Sequence, residues 1–588
     1  MNDWGRAALV MGASVVFACS SSSSSSPGGH TGGGAGQAGQ GAAAGAAGAA
    51  GFSASAGFGA APGGGAGAGG TCQGGICDPP NGPFTDFPEA PIIDQGLPDN
   101  ISDLFGPGGS GNGPCLVEPE PNALFPHNWL RPRFRVIPSG QNVFELRLHA
   151  DDETRDLFVY TTQTIWTMPK DMWGSVAGHV MDKPITVSVR GATLNGSSVS
   201  GVSAATTGTF TIALVDAAGS IVYWSIAPPG DPNGTTNLKG FKAGEEGVVD
   251  VLAPGQVQMR VDETANTPGS GVQATCIGCH TSTPDGKYAS FTAQEPWGNA
   301  LASIEADSVG AQPAFVTAAT ITALSGLGVN QYLGISTFSR AHWSAGDYIE
   351  ITPLGTAAQS QLYWFNLETG ASGAITRNGD SQGVGAPSWS HDGQTIAYMS
   401  TNAEAEGQPG AGVSDLYTVP YADRAGGQAS AVSGAADSAY NEYYPAFSAD
   451  DQFLAFDRNP SGADMYNSAN AEVFIVPAKG GSATRVAAND PPGCSPNRSP
   501  GVTNSWPKWS PEVLTAHNGK AYYWMIFSST RNELNSPVHP ELYITGVVIL
   551  PGGQIETHSA IYLWNQPGNE SNHTPAWDVF KIPPVPIN

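Results

Sequence analysis

The sequence predicts an all-β protein in which a β-sandwich is followed by a six-bladed β-propeller, after a low-complexity N-terminal tether. Three observations predict this fold. Short segments from about residue 121 alternate apolar and polar residues, as strands with one buried face do. From about residue 270 a strand–turn–strand motif recurs. Charged residues are only 13% of the chain, and low charge with many Gly, Ser and Thr suits an extracytoplasmic β-protein better than a cytosolic helical one.

The first 19 residues resemble a bacterial lipoprotein signal peptide. Arg6 precedes an apolar stretch at 7–17 that is too short to span a bilayer. Residues 16–19 read Val-Phe-Ala-Cys and resemble the lipobox. The resemblance implies cleavage before Cys19, diacylation of its thiol and, because Ser20 follows, sorting to the outer membrane. The alternatives are an ordinary signal peptide and a non-exported start with a chance cysteine.

Residues 20–70 are a Ser run followed by Gly/Ala repeats. Such a segment buries too little apolar surface to fold, so it predicts a flexible tether. Residues 71–120 are predicted to be a Pro- and Gly-rich linker containing cysteines. We expect membrane contact only through the lipid anchor, with the folded part facing the periplasm or the cell surface.

Residues 121–262 are predicted to form the sandwich. Residues 144–148 and 185–190 alternate strictly between apolar and polar side chains, and residues 210–214 and 221–224 add two further strands. Short strands of period two, separated by Gly and Asn turns, are typical of a sandwich.

Residues 270–588 are predicted to form the propeller. Residues 386–398 and 444–456 are two clear copies of Pro-x-aromatic-Ser-x-Asp-Gly-x-x-apolar-Ala-aromatic, with Asp-Asp at the turn of the second. Weaker copies lie at 280–291, 340–347, 506–511 and 574–578. The motif combines a strand with an aromatic anchor, a tight turn and a strand with one apolar face.

This motif resembles the TolB-type propeller repeat. The copies are about 46–68 residues apart, and each interval is long enough for a four-stranded blade. The resemblance covers about 310 residues and implies six blades, with five and seven as the alternatives.

Residues 276–280 read Cys-Ile-Gly-Cys-His, the attachment pattern of haem c. Two thiols at this spacing reach two vinyl groups of one porphyrin, and the adjacent histidine reaches the iron. The sequence therefore predicts covalent haem c on Cys276 and Cys279, with His280 as the proximal iron ligand. A small disulfide loop beside an incidental histidine and half of a zinc site are the alternatives.

The second axial ligand of that iron stays open. In the repeat register His342 lies one position beyond the equivalent of His280 on the next blade, which makes it the candidate distal ligand. The alternative is a side chain that fills the blade. Met259 or Met399 would instead give His/Met ligation, and an open position would favour small-ligand chemistry.

The remaining cysteines predict disulfides. Setting aside Cys19 and the haem pair leaves four of seven cysteines, an even number that suits an oxidising compartment. The economical pairing is Cys72–Cys77 and Cys115–Cys494, one of three connectivities.

Composition and local sequence also argue against several functions. The formal net charge is −26 and the chain has no basic run, which excludes nucleic acid as an expected partner. Residues 379–383 match Gly-x-Ser-x-Gly, but they precede a blade repeat and lack the strand–turn–helix of a nucleophile elbow. The sequence shows no convincing catalytic constellation, and a single CxxCH is weak support for a peroxidase.

Taken together, the motifs resemble TolB-like propeller lipoproteins with a cytochrome-c-type motif, of a kind predicted in myxobacteria. The resemblance implies a fold and a cofactor rather than a substrate. Two classes of function follow. One is a single-haem redox or electron-transfer protein of the envelope with a redox partner protein. The other is a protein- or glycan-binding propeller in which the CxxCH is structural.

Overall fold

The structure is a computed structural model that describes residues 71–585 with several gaps. The gaps are 232–233, 258–260, 263–266, 269–273, 275, 295–297, 318–319, 321–331, 334, 356–359 and 403–411. The predicted signal peptide, lipidation site Cys19 and tether lie outside the described residues. No helix within the described part is long and apolar enough to cross a membrane.

The N-terminal half contains a hairpin, a seven-stranded sheet and a three-stranded sheet. The hairpin pairs β1 (Thr71–Gln73) with β2 (Ile76–Asp78). The remaining elements are β3 (Ile92–Ile93), α1 (Ile101–Phe105), β4 (Cys115–Glu118), β5 (Ala123–Phe125), β6 (Arg133–Ile137), β7 (Val143–His149), β8 (Leu157–Thr161), β9 (Ile165–Thr167), α2 (Lys170–His179), β10 (Pro184–Asn195), β11 (Ser198–Ser200) and β12 (Thr206–Ile212). The large sheet has the order β3-β8-β7-β10-β12-β5 with β11 beside β10, and the small sheet has the order β4-β6-β9.

The two sheets form the predicted sandwich. In β10 the side chains of Ile185, Val187 and Val189 are all buried, as the alternation of the sequence predicts. Phe134 of the small sheet and Phe210 of the large sheet lie with their ring centroids 6.3 Å apart, in one shared apolar core. The region predicted to be a linker contributes to this domain, because β3 and β4 pair with strands of the two sheets.

Within the described residues the propeller strands are grouped in six blades, of which the first five have up to four strands and the sixth has six. Blade 1 contains β13 (Ser220–Ala227), β14 (Thr235–Lys242) and β15 (Val249–Leu252). A 3₁₀ helix (Pro254–Gln256) and the short pair β16 (Val261–Asp262) and β17 (Thr267–Pro268) follow. Blade 2 contains β18 (His280–Ser282), β19 (Tyr288–Gln294) and β20 (Gly298–Ser303). Blade 3 contains β21 (Tyr332–Leu333), α3 (Arg340–Ser344), β22 (Ile349–Gly355), β23 (Gln361–Asn366) and β24 (Ser372–Ala374).

Blades 4 to 6 come from the clearest repeats. Blade 4 contains β26 (Gly383–Trp389), β27 (Thr395–Thr401), β28 (Ser414–Pro420) and β30 (Ser430–Ala431), with the parallel pair β25 (Thr376–Asn378) and β29 (Gly426–Gln428) beside it. Blade 5 contains β31 (Tyr440–Phe447), β32 (Phe453–Pro460), β33 (Glu472–Pro477) and β34 (Thr484–Arg485), followed by a 3₁₀ helix (Ala487–Asn489). Blade 6 contains β35 (Ser505–Trp509), β36 (Leu514–Thr515), β37 (Ala521–Ser529), β38 (Glu541–Ile549), β39 (Ile555–Thr557) and β40 (Ile561–Tyr562), and the last strand of the chain is β41 (Ser571–Asp578).

The ring closes through the C-terminal strand. β41 pairs with β13, so the order of blade 1 is β15-β14-β13-β41. The predicted sandwich boundary at residue 262 therefore differs from the structure, in which residues 220–252 belong to the propeller. Pairing the last strand with an early one covers two sheet edges that would otherwise be exposed. Period-two alternation does not reveal this, because sandwich and propeller strands share it.

Candidate functional site

The proline of each repeat marks a bulge in an inner strand. Ala386, Tyr444, Trp506 and Thr574 each precede a proline and have positive φ angles of 39°, 55°, 60° and 43°. The strand registers shift around three of them, at 385–388, 443–446 and 505–508. A bulge bends a strand and re-aims its side chains. Side chains on both sides of these bulges therefore line the space between the blades.

The inner strands of all six blades surround one cavity of about 130 Å³, which is room for about ten water molecules. Its wall is formed mainly by 279–282, 335–338, 387–389, 446–447, 508–509 and 574–578, together with Pro284, Arg340, His391 and Trp506. This cavity is the candidate functional site, because it is enclosed by side chains from every blade and contains the predicted haem motif in its wall.

The CxxCH motif leads into the inner strand of blade 2. Cys276, Cys279 and His280 are buried, with exposed fractions of 4%, 7% and 4%. Cys279 lies in an apolar cluster that also contains Tyr444 and Trp506. Cys279 and His280 are thus part of the cavity wall.

His280 is fixed by the backbone of blade 1. Its Nε2–H donates to the carbonyl oxygen of Val222 over 3.1 Å, and its Nδ1 lies 3.4 Å from the carbonyl oxygen of Gly278. Burial lowers the pKa of His280 to about 4, because the charged imidazolium would lose its hydration. His280 is therefore neutral at physiological pH.

These residues, as arranged, do not fit a haem. Iron ligation needs a free nitrogen lone pair, whereas both ring nitrogens of His280 face carbonyl oxygens. Pockets for drug-sized ligands span roughly 300–1,000 Å³, well above the 130 Å³ of this cavity.

His342 does not approach His280, so the predicted two-blade haem site is not formed. Its Nδ1 lies 3.0 Å from Asp347, and its ring stacks on Trp389 at 4.8 Å. The predicted alignment of blade 3 with the other repeats, which placed His342 opposite Ser388, is wrong by five residues. Thr337 Oγ1 accepts the N–H of Trp389, just as Ser388 Oγ accepts the N–H of Phe447 on the next blade.

The physical reason is that the Trp-Ser pair of blade 3 belongs to helix α3 rather than to the inner strand. Thr337 therefore takes the position of Ser388, and His342 lies in helix α3, outside the cavity lining. Of the alternative sulfur ligands, Met399 is 3% exposed within the apolar cluster around Cys279. Met259 lies outside the described residues.

The cavity wall carries more positive than negative side chains. Arg340 and Lys508 line it, and Asp578 is the carboxylate among its lining residues. Burial raises the pKa of Asp578, which favours its neutral form. A chain with a net charge of −26 therefore surrounds a cavity of the opposite polarity.

Three buried hydrogen-bond donors in this wall have no partner among the described residues. They are the indole Nε1–H groups of Trp389 and Trp506 and the hydroxyl of Thr574. Each of these residues is 3% exposed. A buried donor without a partner costs about 1–3 kcal/mol, and a ligand in the cavity would reach these three atoms only if the wall shifted, because they have almost no accessible surface.

Both disulfides expected from the sequence are present. Cys72 and Cys77 join the two strands of the first hairpin, and Cys115 of β4 joins Cys494 in the connection between blades 5 and 6. The second bond links the sandwich to the propeller.

The Gly-x-Ser-x-Gly segment contains a carboxylate with a structural role. Asp380 accepts hydrogen bonds from Arg377, Tyr398 and Ser400.

The fold and the cavity define an all-β, six-bladed propeller protein with an attached sandwich. No family model matches the sequence, and no curated protein matches it. Among solved structures, the chain is similar to TolB from Agrobacterium tumefaciens, with 16% identity, a TM-score of 0.30 and coverage of 61% of this chain and 98% of that one. It is also similar to TolB from Acinetobacter baumannii, with 14% identity, a TM-score of 0.33 and coverage of 70% and 85%. Hydrazine synthase from Kuenenia stuttgartiensis is similar at 12% identity, with a TM-score of 0.29 and coverage of 54% and 78%.

Sequence reasoning did not single out Lys508, Arg340 or the indoles of the cavity. The sequence did contain one signal for Lys508. In the segment Trp-Pro-Lys-Trp-Ser, Lys508 occupies the position at which the clearer repeats have Ser388 and Ala446. Burying the charge of a lysine at an inner-strand position costs free energy unless the ammonium group faces water or a ligand. That departure from the repeat pattern marks the cavity.

Proposed function

We propose that this chain is an envelope-anchored binding protein whose propeller cavity takes a carboxylate ligand. The observation that carries the proposal is the presence of Lys508 and Arg340 in the cavity wall, which also contains Trp389 and Trp506. Lys508 and Arg340 favour a ligand that is negatively charged.

The charge distribution supports selectivity for such a ligand. The acidic exterior repels anions in general, whereas the cavity attracts the one that fits its donors. The exported location implied by Cys19 would place this site in the periplasm or at the cell surface. A carboxylate there is available on the chain terminus of an envelope protein or on an acidic sugar.

Calorimetric titration of the full chain with citrate tests this function. We expect saturable binding of citrate and none of xylitol, a neutral molecule of similar size. Lys508→Met should weaken citrate binding about tenfold or more, since a charge-assisted hydrogen bond contributes about 1.5–3 kcal/mol. Lys479→Met removes an exposed lysine far along blade 5 and should leave the affinity unchanged. Equal binding of xylitol, or equal loss in both variants, would exclude a carboxylate site.

Haem c attachment is the second candidate function, and the spacing of Cys276, Cys279 and His280 favours it. It requires His280 to leave the carbonyl oxygen of Val222. If haem were bound, it would supply one-electron chemistry for a redox partner protein. The test is the pyridine haemochrome spectrum of protein exported from a host that matures c-type cytochromes. One haem per chain, lost in Cys279→Ala, would establish this function. A spectrum without haem would remove it.

A further inference from the structure

The first hairpin carries a second chemistry-bearing cluster, which is separate from the propeller cavity. Cys72 and Cys77 lie opposite each other in the paired strands β1 and β2. Cys72 is exposed and Cys77 is 1% exposed. The hairpin is held in place because the N–H of Cys77 donates to Leu214 and the N–H of Asp216 donates to Gly75, both over 2.8 Å.

His127 stands beside this disulfide. Its two ring nitrogens are each 3.9 Å from Cys72 Sγ, and its Nδ1 is 2.8 Å from Asp216 Oδ1. A carboxylate at Nδ1 holds the proton on that nitrogen and leaves the lone pair of Nε2 available. The backbone N–H of His127 donates to Val215 over 2.9 Å, so the same short segment positions both the histidine and its carboxylate.

The ligand atoms of Cys72, Cys77 and His127 lie within 4.8 Å of one another. Tetrahedral zinc, with bonds of about 2.0–2.3 Å to nitrogen and sulfur, separates its ligands by about 3.3–3.8 Å. Opening the S–S bond would move the two sulfurs toward that separation while the histidine stays in place. Asp216 has the role of the carboxylate that orients a zinc-bound histidine.

We propose that reduction of the Cys72–Cys77 disulfide creates a zinc site formed by both thiolates and Nε2 of His127. A dithiol reductant gives two electrons and two protons to the disulfide and becomes a disulfide itself. Zn²⁺ then replaces the two thiol protons, which are released to solvent. Because Cys72 is exposed, water takes the fourth position, an arrangement typical of zinc sites with an open coordination position.

This site is a redox-controlled one, because the oxidised hairpin has no thiolate to offer. The inference does not depend on the function proposed for the propeller cavity. It concerns different residues, and neither site shares a ligand with the other. Failure of citrate to bind would therefore say nothing against the zinc site, and failure of zinc to bind would say nothing against the carboxylate site.

The test compares oxidised and phosphine-reduced full-length protein by titration with Co²⁺ and with Zn²⁺. We expect the reduced protein to bind one Co²⁺ per chain with a thiolate-to-cobalt charge-transfer absorption, which Zn²⁺ abolishes, and the oxidised protein to lack this band. Cys72→Ser/Cys77→Ser is the control for the other cysteines, which reduction also exposes. The band should be absent from that double variant.

Asp216→Asn provides a variant that keeps all three ligands. It should lower zinc affinity about 10- to 100-fold, the usual effect of losing such an orienting carboxylate, with near-ultraviolet circular dichroism unchanged. The proposal is overturned if the double cysteine variant keeps the cobalt band, if the reduced wild type shows none, or if Asp216→Asn binds zinc as tightly as the wild type.

Discussion

The imidazole of His280 on blade 2 donates a hydrogen bond to the carbonyl oxygen of Val222 on blade 1 over 3.1 Å. Val222 lies on β13, the strand that pairs with the C-terminal strand β41. This single bond therefore joins blade 2 to the blade in which the propeller ring closes. It also occupies the nitrogen that a haem iron would need. His280 therefore cannot keep this hydrogen bond and bind iron through the same nitrogen.

Protonation of His280 should destabilise the protein in acid. Its pKa is about 4 in the folded state against 6.5 unfolded, so the unfolded chain binds the proton more tightly. Stability is therefore lost as pH falls from about 6.5 towards 4, by up to about 1.4 kcal/mol per pH unit from this group. His280→Gln keeps an amide donor for Val222 and cannot titrate. In urea unfolding, the stability advantage of the wild type over this variant should shrink between pH 7 and pH 5. A constant difference would show that His280 is not buried as a neutral group.

Asp457 should give the opposite pH dependence. Burial raises the pKa of this carboxyl to about 8, although Ser505 and the N–H of Trp506 both donate to it. The folded state thus binds the proton more tightly, and stability falls as pH rises from about 4 towards 8. The Asp457→Asn variant lacks this titrating group. Its free energy of unfolding, relative to that of the wild type, should therefore rise by about 1.4 kcal/mol per pH unit in that window. Asp423→Asn, at a side chain that is 91% exposed, is the control and should follow the wild type.

Closure of the ring by the C-terminal segment can be tested at Gly286. A Cβ on Gly286 would lie 1.9 Å from the carbonyl oxygen of Val579, directly after β41. Gly346 has a similar positive φ, 78° against 72°, and open space around it. Both alanine variants should lose about 1 kcal/mol of unfolding free energy, because alanine is strained in a left-handed backbone conformation. Gly286→Ala should lose clearly more, measured by chemical denaturation. Equal losses would mean that the C-terminal segment does not contact this turn.

The disulfide between sandwich and propeller should stabilise more than the hairpin disulfide. Cys115 and Cys494 are 379 residues apart, whereas Cys72 and Cys77 are five apart. In the chain-entropy account the longer loop contributes about 4–6 kcal/mol and the short one about 2 kcal/mol. Urea unfolding of Cys115→Ser/Cys494→Ser and of Cys72→Ser/Cys77→Ser gives the comparison. A larger loss in the hairpin variant would contradict this ordering.

Much of the fold was predictable because repeats and alternation are local. The copies around Pro387, Pro445, Pro507 and Pro575 each contain an inner strand, and the cysteine pairing was the economical one of the three connectivities that four cysteines allow. The placement of His342 failed because the Trp-Ser pair of blade 3 entered a helix, and only the contact between Thr337 and Trp389 reveals the true register. Ring closure by β41 was also hidden, since it joins strands more than 340 residues apart. No local pattern encodes such a pairing.

The most direct test of the proposed function is a crystal structure of the protein grown with citrate. A citrate carboxylate should lie inside the propeller cavity, about 2.7–3.2 Å from Lys508 Nζ. The Lys508→Met protein under the same conditions should hold only water there. Citrate bound outside the cavity, or a cavity that holds only water in the wild type at saturating citrate, would contradict the proposal that this propeller binds carboxylates.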